Sequence, residues 1–140
     1  MGRRSVLVVD DEPRRQEILR QFLERQGYQT EGAHDGERAL EKARSFEPDL
    51  VLTNREMPDL QGEDLAARIL EVGVKTRLIL MVDRCSRAAT TAFCLAGGAV
   101  VLVKPFGLRD LLAHVRAALG DDHKINQHLA AERRRNRGAT

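Results

Sequence analysis

Four short clusters in this 140-residue sequence carry residues that could do chemistry together. Asp10-Asp11-Glu12 closes the run SVLVV, and Asn54 closes DLVLT, with Met57-Pro58-Asp59 and Gly62 just beyond it. Asp83 follows RLILMV, and Lys104-Pro105-Phe106 follows AVVLV. Adjacent carboxylates repel one another unless a cation offsets them, so Asp10 and Asp11 read as oxygen ligands for a hard metal ion. The competing reading of Asp11 or Glu12 is a helix cap, which sets negative charge against the positive end of a helix dipole. Lys104 among carboxylates has an electrostatic task, and Pro105 is a candidate cis bond that would aim it. Three carboxylates, Asp10, Asp11 and Asp83, against the one ammonium of Lys104 leave a formal −2, which invites a divalent cation or protonation.

Those clusters need a scaffold that brings chain-distant residues to one edge. Short β-rich runs alternate with helical patterns, which predicts βα repeats around a parallel sheet covered on both faces. Strands are expected at 5–10, 28–33, 49–53, 77–82 and 99–103. Four are nearly continuous apolar runs suited to burial on both faces, whereas YQTEGA is polar and alternating and reads as an edge strand. The helix over 13–26 carries Ile18, Leu19, Phe22 and Leu23 as its stripe, with Pro13 in its first turn and Gly27 closing it. Further helices are expected over 36–46 (Ala39, Leu40, Ala43, Phe46), 63–72 (Leu65, Ala66, Ile69, Leu70) and 86–96. A fifth carries Leu108, Leu111, Leu112, Val115 and Leu119 and ends at Gly120. The fold class is therefore α/β, a (βα)5 doubly wound five-stranded sheet with helices on both faces. In such a sheet ligands bind outside the carboxyl ends of the strands, where all four clusters fall.

Composition excludes several classes. A chain of 15.7 kDa with 42% hydrophobic and 31% charged residues fits one globular domain, and a net charge of +2 points to neither nucleic acid nor membrane. The longest apolar run is far shorter than the roughly 20 residues of a spanning helix, and MGRRSVLVVD is no secretory signal. The expected location is cytoplasmic, where Cys85 and Cys94 stay reduced. The domain is expected over 1–120, with 121–140 a polar, basic tail or linker that a short helix could occupy. Arg133 to Arg137 lacks interleaved aromatics, so nucleic-acid binding is not expected of this chain alone.

Taken as a set, VLVVDDEP, PDLVLTNREMPDLQG, LILMVDR and LAGGAVVLVKPF resemble the receiver domain of bacterial response regulators, across about residues 4 to 119. The resemblance implies a flavodoxin-like fold in which Asp10 and Asp11 help bind Mg²⁺. It also implies a strand-three aspartate that takes a phosphoryl group from a histidine kinase, a strand-four hydroxyl that contacts that group, and Lys104 paired with it. A strand-five aromatic then changes rotamer in the active state. Three positions depart: the acceptor is Asn54, the hydroxyl position is Asp83 and the aromatic position is Val101. An amide is a poor nucleophile, and Val101 has no ring to move.

The expected protein is thus a degenerate receiver, a pseudo-receiver. It is a regulatory, non-enzymatic module with no catalytic residue, no required cofactor, and Mg²⁺ binding at Asp10 and Asp11 that is weak or vestigial. The resemblance places its protein partner or output domain on the face made by the fourth helix, fifth strand and fifth helix, with a homodimer as one form. Two alternatives stay open: a phosphorelay receiver modified at Asp83 or Asp59 instead, or the regulatory fragment of a larger protein such as a DNA-binding regulator. For Asp83 itself, one reading is an ion pair with Lys104, supported by Asn54, that fixes strands four and five. The other is an acid facing water at a site no longer used.

Overall fold

The computed structural model describes residues 3–72, 75–83 and 100–120. The strands are β1 (Ser5–Val9), β2 (Gln29–Ala33), β3 (Leu50–Asn54), β4 (Arg77–Val82) and β5 (Val100–Val103). The described helices are α1 (Pro13–Arg25), α2 (Gly36–Phe46), α3 (Gly62–Glu71) and α4 (Leu108–Ala118). The helix expected over 86–96, both cysteines and the tail over 121–140 lie outside the described residues.

Local chemistry sets the helix ends. The Glu12 carboxylate accepts the amides of Arg14 and Arg15 at the start of α1, with Pro13 in the first turn where no amide partner is lost. Glu12 is therefore a cap, as one of the two readings of the acidic cluster required. Asp35 caps α2 by accepting Arg38 N–H, and Gly27 turns the chain after α1 at φ +98°, a conformation that costs glycine little.

All strands pair in parallel in the order β2-β1-β3-β4-β5. This is the doubly wound order whose switch point lies between β1 and β3. Strand pleating divides the core. Leu7, Val9, Val51, Leu78 and Leu80 face α2 and α3 together with Ala39, Ala43, Leu65 and Ile69. Val6, Val8, Leu50, Leu52, Ile79 and Met81 face α1 and α4 with Leu19, Leu23, Leu111 and Val115. Near-continuous apolar strands follow from this two-sided burial.

Two expectations need correction. β2 is an edge as its sequence predicts, but β5 is the other edge; Val103 is 48% exposed even though AVVLV reads as a buried run. The stripes are also narrower than the apolar residues suggest. Along α1 the buried line runs through Gln16, Leu19 and Leu23, which leaves Ile18 to solvent. Leu70 near the end of α3 and Leu108 at the start of α4 are likewise exposed.

Candidate functional site

Asp10 lies at the carboxyl end of β1, beside the switch point, and its side chain is completely buried. A buried carboxylate needs a cation or several donors, because desolvation penalises its charge. It has both. Arg15, in the first turn of α1, donates from Nε to Asp10 Oδ2 at 2.6 Å and from Nη2 to Oδ1 at 2.7 Å. The Glu12 amide adds a third bond to Oδ1 at 3.0 Å. This two-pronged fit is the strong geometry of an arginine–carboxylate pair. The same Nη2 stands 3.9 Å from Asp11 Oδ1, and Asp10 acts most strongly in raising the pKa of the Arg15 guanidinium. Next to it, the buried Gln16 amide donates to the carbonyl oxygens of Ala33 and Asp10, tying the ends of β1 and β2 together.

Asn54 ends β3 and is 4% exposed. Its amide is engaged at both atoms: Nδ2 donates to Glu56 O at 3.0 Å, and Oδ1 accepts from Lys104 Nζ in a short hydrogen bond. Lys104 is carried there by the end of β5, where its own amide bonds Val82 O at 2.7 Å, and the Lys104–Pro105 bond is cis as the sequence suggests.

The expected Asp83–Lys104 pair is not formed. Asp83 is exposed at the end of β4, and among the described residues Lys104 has no carboxylate within ion-pair distance. The physical reason is burial. Asp83 keeps its water, whereas the buried Asn54 oxygen has no water to turn to, and leaving it without a donor would cost about 1–3 kcal/mol. The lock across the strand ends therefore runs from Lys104 to Asn54, and Asp83 is the acid facing water. Val101 is half-buried on β5, paired with Leu80 and packed on the α2–α3 side of the core.

The charge balance changes accordingly. The sequence reading counts Asp83 and omits Arg15; in the fold Asp10 and Asp11 meet the guanidinium of Arg15, while Lys104 bonds the neutral Asn54 amide. Both Asp10 oxygens point at the guanidinium, Asn54 Oδ1 is taken by Lys104, and no group of three acidic, histidine or cysteine side chains is placed to hold a metal among the described residues. Arg15 is the residue that sequence reasoning missed. Its signal was present: four residues after Asp11, in the first turn of a predicted helix, it faces back toward the acidic cluster.

The loop after β3 is held separately. Asp59 accepts the amides of Gly36 and Glu37 with its two oxygens at 2.8 and 3.0 Å, and the Gly36 bond above all holds its carboxyl below the usual aspartate range. Arg55 and Glu63 form a half-buried pair at 3.3 Å across the same loop. Asp59 and Asp83 are thus both outside the Lys104–Asn54 contact.

A sequence profile described as the response regulator receiver domain matches residues 6–116. Over 114 residues the chain is 38% identical to response regulator MprA of Mycobacterium ulcerans, covering 81% of this chain and 49% of that protein. The MprA protein of Mycobacterium tuberculosis is 37% identical over 114 residues, with 81% and 50% covered. The chain spans about half the length of these curated relatives. Among solved structures, a CheY-like receiver domain protein from Methanospirillum hungatei superposes with a TM-score of 0.81 at 25% identity, covering 88% of this chain and 98% of that one. Chemotaxis protein CheY4 of Vibrio cholerae gives 0.80 at 26% identity, with 84% and 100% covered.

Proposed function

The chain belongs to the response regulator receiver domain family of two-component signal transduction, and from that premise we propose that it is a receiver that works without being phosphorylated. The observation that carries this reading is the hydrogen bond from Lys104 to the Asn54 amide. A phosphoryl acceptor needs a nucleophilic oxygen, and an amide oxygen that already accepts from an ammonium is neither anionic nor free. The other acids do not replace it. Asp59 is committed to the start of α2, and Asp83 is exposed and makes no ion pair with Lys104.

On this reading the module is no enzyme and needs no cofactor. It acts in the cytoplasm by binding a protein, an output domain or a second copy through the face that includes β5 and α4. The exposed Val103 and Leu108 on those elements support that face. The likeness to response regulator MprA supports an output domain as one such partner.

Incubation with acetyl phosphate and Mg²⁺, followed by intact-mass measurement at neutral pH, tests the proposal. The expected mass is unchanged. Gain of one phosphoryl group that disappears in Asp83→Ala or Asp59→Ala would show that the acceptor had moved to that residue, and the proposal would fall.

A further inference from the structure

We propose that Arg15 is a built-in replacement for the divalent cation of the acidic pocket, so that the pocket keeps one arrangement whether or not such a cation is present. The inference deepens the reading of an unphosphorylated receiver and rests on it, since it assumes that no phosphoryl group enters beside Asn54. It stands on a separate contact. The guanidinium reaches both oxygens of a fully buried carboxylate at 2.6 and 2.7 Å and extends to Asp11 at 3.9 Å, placing one positive charge between the two acids.

Arg15 is held at both ends. Its backbone amide donates to Glu12 Oε2 at 2.9 Å, so the residue is fixed in the first turn of α1 while its head is fixed on Asp10. A cation on such a tether does not dissociate from the protein when it leaves the carboxylate, and returning is intramolecular. A divalent ion entering the pocket would be repelled by the guanidinium charge, and would have to strip two charge-assisted hydrogen bonds from Asp10 before using it as a ligand. A small dication also demands near-octahedral oxygen coordination, which an acid already committed to a planar fork cannot contribute to. Arg15 is a positioning residue here: it orients Asp10, and through the Glu12 amide on the same oxygen it sets the entry to α1.

The test is Mg²⁺ titration of the full chain, followed by thermal unfolding and by amide NMR shifts of residues 10–12, with Mn²⁺ line broadening as a site-specific check. For the natural sequence the expected result is no saturable shift and an unchanged Tm through millimolar MgCl₂. Arg15→Gln is expected to bind Mg²⁺ at least about tenfold more tightly and to regain Tm as the metal is added. Arg15→Lys, which keeps the charge but cannot span both oxygens, should fall between the two. A merely structural arginine would change Tm without changing its metal dependence. If Arg15→Gln does not fold, Arg15→Lys decides: tighter binding than the natural protein supports the inference, and equal binding overturns it. Binding by the natural protein as tight as by Arg15→Gln, or no binding by either, also overturns it. Phosphoryl transfer to the natural protein with a flat Mg²⁺ titration would sink the proposed function and leave this one standing.

Discussion

Arg15→Ala is expected to lower the free energy of unfolding by about 2–3 kcal/mol. An exposed ion pair is worth about 0–1 kcal/mol, and removing one partner of a buried pair costs about 3–5 kcal/mol. This pair lies between those limits, since the Asp10 side chain is 0% exposed and that of Arg15 is 45% exposed. The larger share comes from Asp10, which is left with the Glu12 amide alone. Urea unfolding followed by circular dichroism should show a lower midpoint with an unchanged slope. Introducing Asp10→Asn into Arg15→Ala should recover much of the loss, because the stranded charge is then gone. A loss below about 0.5 kcal/mol, within the range of ordinary surface changes, would show that the pair does not hold the pocket.

Gly62→Ala is expected to destabilise by about 2 kcal/mol and to disturb Asn54. Gly62 opens α3, and a Cβ there would lie 2.7 Å from the Asn54 carbonyl oxygen, 2.9 Å from Arg55 Cα and 2.5 Å from Leu80 Cδ1. Two of those three atoms are backbone, so a rotamer change cannot relieve the crowding. Alanine is the better helix former by about 1 kcal/mol, but overpacking of a tight site typically costs about 1–3 kcal/mol, occasionally more, and here the clash is with main chain. The Gly62 amide also donates to Arg55 O at 2.7 Å, so the shift passes directly into the loop that carries the Asn54 partner Glu56. Urea unfolding gives the stability, and the Asn54 side-chain amide resonance reports the displacement. Stability equal to or above that of the natural protein, with that resonance unmoved, would contradict the crowding argument.

Much of the scaffold was legible because its signals are local and repeated. Two-sided burial writes itself as apolar strands, and Pro13, Gly27 and Gly120 mark helix boundaries that the fold respects. The exposure of β5 was not legible, since an edge is defined by which strand lacks a neighbour, and AVVLV carries no polar residue to announce it. The residues of the pocket were legible as a group, while their pairing was not. Asp83 and Lys104 end neighbouring strands, which made an ion pair the natural inference from charge alone. The outcome turned on desolvation instead: a buried neutral amide oxygen needs the ammonium more than a hydrated carboxylate does. Arg15 was overlooked for a related reason. Counting only acids and the strand-end lysine treats the pocket as the property of strand ends, whereas its second cation arrives from the first turn of a helix.

The central claim is that the contacts Lys104–Asn54 and Arg15–Asp10 persist when a phosphoryl group and its cation are offered. It is tested most directly by amide NMR of the isotope-labelled chain before and after beryllium fluoride, a phosphoryl mimic, is added with Mg²⁺. The account predicts that resonances of residues 10–15, 54–60 and 103–106 stay in place apart from uniform ionic-strength drift. Saturable shifts concentrated at Asp10, Asn54 and Lys104 would contradict it, because they would mean that both contacts open to admit the anion and the metal.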